Sequence, residues 1–140
     1  MIFKQANEAN FASGRTQPIE FLVIHYTAKD GDTVQNNLDY LAGNAVGASA
    51  HYFVDENGYG QSVKDADTAW HCGASSYRHK TCRNANSIGV EMCCHLDARG
   101  NWTIDEATMA AAAELGRDIM ARYGIPLENV LRHYDVTGKL

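Results

Sequence analysis

Residues 19–28 read IEFLVIHYTA, and the fold class follows from how that stretch is taken. A continuous apolar run ending in polar residues reads as a central strand that delivers His25 at its C-terminal end. Working outward, DTVQNNLDYLAG (32–43) has Asp32 or Thr33 as helix cap, Val34, Leu38 and Leu41 on one face, and Gly43 as the stop. SAHYFVDENGYGQSV (49–63) gives two short strands around Asn57-Gly58, a strong hairpin signal. SIGVEMCCHL (87–96) is a further strand. TIDEATMAAAAELGRDIMARYG (103–124) is a helix with Thr103 and Glu106 as a capping box. Met109, Leu115, Ile119 and Tyr123 form its apolar face, and Gly124 with Pro126 ends it. Strands alternating with helices, plus one hairpin, imply an α/β single domain: a central mixed β-sheet with helices packed on it.

Between the hairpin and the strand at 87–96 lies DADTAWHCGASSYRHKTCRNAN (65–86), polar and rich in histidine and aromatic residues. A loop of that length inside a compact domain is functional or mobile. At 140 residues, 45% hydrophobic and 21% charged, the chain is long enough for one core and too short for two. A net charge of -5 without a basic stripe argues against nucleic acid as partner. The N-terminus lacks the apolar run of a signal peptide and no stretch is long enough to span a membrane. These features lead one to expect a monomer made in the cytoplasm without its own export signal. That context favours reduced thiols for Cys72, Cys82, Cys93 and Cys94, although Cys72 and Cys82 span a loop that a bridge could close. Cys93 and Cys94, adjacent on a strand, should point to opposite faces.

Six histidines are available: His25, His51, His71, His79, His95 and His133. Those at element ends, His25 and His133, are well placed to converge on a site. The alternative is that each is an isolated, hydrogen-bonded side chain, because two distant histidines by themselves are weak evidence of a metal site.

Read together, FLVIHYTA, SAHYFVDENG, TAWHCGA, NSIGVEM and LRHYDVTGK, in that order, resemble the zinc-dependent N-acetylmuramoyl-L-alanine amidases, which include phage lysozyme-type amidases and peptidoglycan recognition proteins. The resemblance runs from about Ile19 to Leu140. It implies a Zn2+ cofactor held by His25 and His133. The family's third ligand, a cysteine or aspartate eight positions after the second histidine, would fall just past Leu140. Residues 1–140 are therefore expected to be an amidase catalytic domain lacking the end that carries that ligand. The implied reaction is zinc-assisted hydrolysis of the amide between N-acetylmuramic acid and L-alanine of a peptidoglycan stem, as in a phage or prophage endolysin acting on the wall after release.

Roles for further residues come with the resemblance. Glu91, a carboxylate breaking an apolar strand, is the candidate general base; the bland alternative is an exposed edge-strand glutamate. Lys139 matches a family lysine that stabilises the developing oxyanion. His71 and Trp70 read as lining the substrate groove, giving a flat apolar surface plus hydrogen bonds, with core packing the alternative for Trp70; Asn86 and Ser87 read as turn and strand-entry residues that could also offer a substrate hydrogen bond. His51 reads as structural, His79 and His95 as surface residues. One departure is Ala50, where lysozyme-type members carry a catalytic tyrosine. Two rival readings remain: a non-catalytic peptidoglycan-binding module, and a thiol hydrolase using Cys72 beside His71.

Overall fold

The computed structural model describes residues 1–139. In chain order its first strands are β1 (Ile2–Phe3), β2 (Phe11–Ala12) and β3 (Phe21–Tyr26), followed by helix α1 (Val34–Gly43). Then come β4 (Tyr52–Asp55), β5 (Gly58–Gln61), β6 (Thr68–Ala69), β7 (Ser87–Met92), β8 (His95–Leu96) and β9 (Trp102–Thr103). Helix α2 (Glu106–Tyr123), β10 (Val130–Arg132) and the short α3 (His133–Thr137) complete the chain. Six strands form the main sheet in the order β1-β5-β4-β7-β3-β10. Only the β4–β5 hairpin is antiparallel within it; β3 runs parallel to both β7 and β10. The mixed sheet expected from the alternation of elements is therefore present.

Alternation of side chains divides the sheet into two faces with different jobs. Leu22, Ile88, Val90, Tyr52 and Val54 point to one face and pack under Ala112, Leu115 and Ile119 of α2. Burying each large apolar side chain there contributes about 1.5–3 kcal/mol. On the other face, α1 lays Val34, Leu38 and Leu41 against Phe53 and Val63. At the far side of that face, Val136 of α3 joins Phe21, Val23, Cys72 and Cys82. The strip between these two coverings carries the C-terminal ends of β3 and β7. In parallel sheets those ends are where ligand sites collect.

Several sequence-based boundaries shift. The turn of the hairpin is Glu56-Asn57, with Gly58 already paired to Asp55, so the Asn57-Gly58 expectation is one residue late. Gly58 takes the positive φ of 132° that the reversal needs, and the Asp55 carboxylate accepts from Asn57 N–H. Thr33 caps α1 by accepting from Asn36 N–H. Gly43 is the last residue of that helix rather than a left-handed stop, and Asn44 beyond it is extended. The capping box at Thr103 and Glu106 does not form: Thr103 lies in β9, and Asp105 stands at the N-cap of α2. Met109 is exposed, and Thr108, Ala112 and Gly116 take the inner stripe with Leu115 and Ile119. Six residues separate Met109 from Leu115, which at about 100° per residue puts them on different faces. Gly124 does close the helix at φ 65°.

The expected strand at 87–96 breaks after Met92, and β8 belongs to a separate two-stranded ribbon with β9. Cys93 and Cys94 make up that break, and both are buried. All four cysteines are free thiols, so the Cys72–Cys82 bridge is not formed.

Candidate active site

The order of the strands explains why residues distant in sequence meet. His25 is the cross-strand partner of Glu91, so both side chains leave the same face near the C-terminal ends of β3 and β7. β10 pairs with the other side of β3, and the chain turns into α3 at once, so His133 opens that helix beside His25. The rings of His25 and His133 have centroids 4.9 Å apart, and their Nδ1 atoms approach to 3.1 Å. Two imidazole nitrogens facing each other at that distance must share a proton or a cation.

A third ring completes the cluster. His71 reaches in from the 65–86 loop, its Nδ1 lying 2.9 Å from His25 Nε2 and its Nε2 lying 2.9 Å from Ser87 Oγ. Gly89 makes room for it: a Cβ there would stand 2.5 Å from the His71 ring. Both His71 nitrogens are thus engaged by protein, so the ring offers the groove carbon and not the substrate hydrogen bond expected of it. Burial, followed by the charge of neighbouring imidazoles, holds His25 at a pKa of about 3 and His71 well below its ordinary value. His133 is also lowered, by burial and then by the Lys139 ammonium. Neutral imidazole is the form that ligates metal.

Glu91 does not lie on an edge strand: β7 is paired on both sides, by β4 and β3. Burial, and secondarily the Asp32 carboxylate, pushes its pKa up to about 7. Glu91 and His71 line a cavity of about 360 Å³ together with Tyr40, Val46, Phe53 and Trp70. Trp70 is half-buried at this cavity, fixed by its backbone N–H donating to Ser49 Oγ. Lys139 is exposed, close enough to His133 to act on its charge.

Asn86 is not at the groove. It is 1% exposed, its Nδ2 donates to the Thr81 carbonyl and its Oδ1 accepts from Arg83 N–H. It closes the end of the 65–86 loop, and the expected substrate contact has no access to it. Cys72 is fully buried with its thiol directed at Asn84 Oδ1, which leaves no path for the thiol-hydrolase reading. Ala50 is fully buried in the cluster beneath α1, where a tyrosine would not fit without repacking. His51 is likewise buried; its Nδ1 accepts from Gly89 N–H, and its Nε2 lies 2.9 Å from the Asp67 carbonyl. His95 is on the surface but pairs with Asp105. His79 is half-buried, its Nδ1 accepting from the N–H groups of Thr81 and Cys82.

Sequence reasoning missed Arg15. Its guanidinium donates to the carbonyls of Asp65, Ala85 and Ser87, tying together the two ends of the loop that carries His71. A lone arginine in a polar N-terminal stretch carries no signal of that role. Asp65 is in turn held by Tyr52, Tyr123 and Arg122.

Among the described residues no group of three or more His, Cys, Asp or Glu side chains is arranged to hold a metal. The pair His25 and His133 nonetheless fits two corners of a zinc site. Two nitrogens each about 2.0–2.1 Å from a tetrahedral zinc stand roughly 3.3 Å apart, close to the 3.1 Å found.

The chain is similar to known proteins along most of its length. The family described as N-acetylmuramoyl-L-alanine amidase matches residues 15–139. A probable N-acetylmuramoyl-L-alanine amidase of Bacillus licheniformis is 32% identical over 98% of this chain and 40% of its own length. The amidase AmiD of Escherichia coli is 38% identical over 84% of this chain and 46% of its own length. The chain therefore spans less than half of either relative. Among solved structures, the catalytic domain of XlyA superposes with a TM-score of 0.80 at 26% identity, covering 99% of this chain and 86% of that one.

Proposed function

Because the chain belongs to the N-acetylmuramoyl-L-alanine amidase family, we propose that it hydrolyses the amide joining N-acetylmuramic acid to L-alanine in peptidoglycan. The observation that carries this reading is the approach of His25 Nδ1 to His133 Nδ1 beside a buried glutamate on the adjoining strand. We assign His25 and His133 as ligands of Zn2+. Bound there, zinc supplies Lewis acidity, activating water at neutral pH and polarising a carbonyl oxygen.

The chain's own residues do the rest. Amide hydrolysis requires a base for the attacking water and then an acid for the leaving amine. With its pKa near 7, Glu91 can take a proton and return it at working pH. Lys139, near enough to His133 to act on its charge, would supply a cation to the negative charge that builds on the carbonyl oxygen. Trp70, Tyr40 and Val46 give the cavity an apolar wall for the stem of the substrate. The proposed place of action is the bacterial wall, as for an endolysin; separately, no described helix is long and apolar enough to cross a membrane.

The test is to incubate the zinc-supplied protein with purified peptidoglycan and measure new L-alanine amino termini, with and without a chelator. Chelator-sensitive release supports the reading. Binding to peptidoglycan without release would convert the proposal into a recognition module.

A further inference from the structure

We propose that Ser87 and His71 form a positioning relay that dictates which nitrogen of His25 carries its proton, leaving the Nδ1 lone pair directed at His133. The inference rests on the reading that the two histidines share a metal, and it assigns His71 to the metal ligand rather than to the substrate.

The direction of the relay follows from counting hydrogens. A serine hydroxyl has one hydrogen, and Ser87 spends it on the backbone carbonyl of Arg83 at 2.7 Å. At its other contact, 2.9 Å from His71 Nε2, Ser87 Oγ must therefore accept, which puts the His71 proton on Nε2. A neutral imidazole has one N–H, so His71 Nδ1 is a bare lone pair facing His25 Nε2 at 2.9 Å. That contact is a hydrogen bond only if His25 carries its own proton on Nε2. The remaining nitrogen of His25 is then bare and faces His133 Nδ1 at 3.1 Å. The chain of bonds begins at a carbonyl, which can only accept, so it has one consistent polarity.

One further feature bears on the relay. Gly89 lets the His71 ring lie directly on β7, where a Cβ would stand 2.5 Å away. Hydrogen bonds from a ligating histidine to outer partners fix tautomer and ring orientation, and losing them weakens metal binding about 10–100-fold.

The experiment pairs two readouts on the 140-residue chain. Long-range proton–nitrogen spectra of the histidine rings report tautomers without metal, and competition against a chromophoric chelator reports zinc affinity. The expected wild-type result is Nε2–H on both His71 and His25. Ser87→Ala should bind zinc about tenfold more weakly and show mixed tautomers at His71. His71→Asn, whose side-chain carbonyl can replace the Nδ1 acceptor, should stay within a few-fold of wild type. His71→Leu should lose about 10–100-fold. Equal affinities for the Asn and Leu variants, or Nδ1–H on His71 in the wild type, would overturn the relay. A wild-type chain that takes up no zinc would instead sink the metal reading. The metal-free tautomers of wild type and Ser87→Ala would still decide the relay by themselves.

Discussion

Replacing Glu91 by glutamine should make the metal-free protein more stable above neutral pH while removing its activity. The carboxyl has an ordinary pKa of 4.5 and is pushed up to about 7 in the folded protein. Between those values the folded state holds a proton that the unfolded state has released, so stability falls as pH rises through the window. At about 1.4 kcal/mol per pH unit, the full shift corresponds to roughly 3 kcal/mol. Relaxation and partial solvation reduce this to on the order of 2 kcal/mol. Glutamine keeps the shape of the protonated acid and carries no such penalty. Urea unfolding of both proteins at pH 5 and pH 8, in a chelator, measures the difference. The variant should gain about 2 kcal/mol relative to wild type on going from pH 5 to pH 8. A gap that does not change with pH, or one that favours wild type at pH 8, would refute the assignment of Glu91 as a desolvated carboxyl. The site would then have to find its base elsewhere.

Other perturbations test the neighbouring parts. Lys139→Ala should lower kcat about 100-fold or more with a smaller change in KM, read from hydrolysis of a muramoyl peptide. Gly60→Ala should destabilise by about 1–3 kcal/mol in urea, because a Cβ there would meet Val34 Cγ1 at 2.7 Å and Leu38 Cδ1 at 3.0 Å. Leu115→Ala removes a side chain 1% exposed beneath the sheet. It should cost about 2–5 kcal/mol by thermal or urea unfolding while leaving the histidine cluster assembled.

Much of the fold was legible because apolar patterning is a local signal. The run at 19–28 and the stripe Val34, Leu38 and Leu41 both emerge as buried elements. Boundaries fared worse where two local signals compete. Thr103 satisfies a capping box on paper, yet it is drawn into the ribbon that pairs His95 with it. At the site, His25, His133 and Glu91 sit together because the parallel pairings β10–β3–β7 bring three C-terminal ends side by side. Pairing order is long-range information that hydropathy does not carry; it was the resemblance that joined these stretches. His71 and Asn86 show the opposite limit. Both belong to the 65–86 segment, and which way their polar atoms point depends on Ser87 and Gly89 for His71 and on Thr81 and Arg83 for Asn86, none of which announces that role in sequence. The buried Asp65 set was invisible for the same reason: Tyr52, Arg122 and Tyr123 come from two elements joined only in the folded chain.

The proposed chemistry requires that His25 and His133 bind one cation between them. Zinc-soaked crystals measured on either side of the zinc absorption edge test it directly. A single strong anomalous peak is expected about 2.0–2.1 Å from Nδ1 of both rings. A peak bound to one ring alone, or zinc settling at another site while these two nitrogens keep their proton-shared contact, would contradict it.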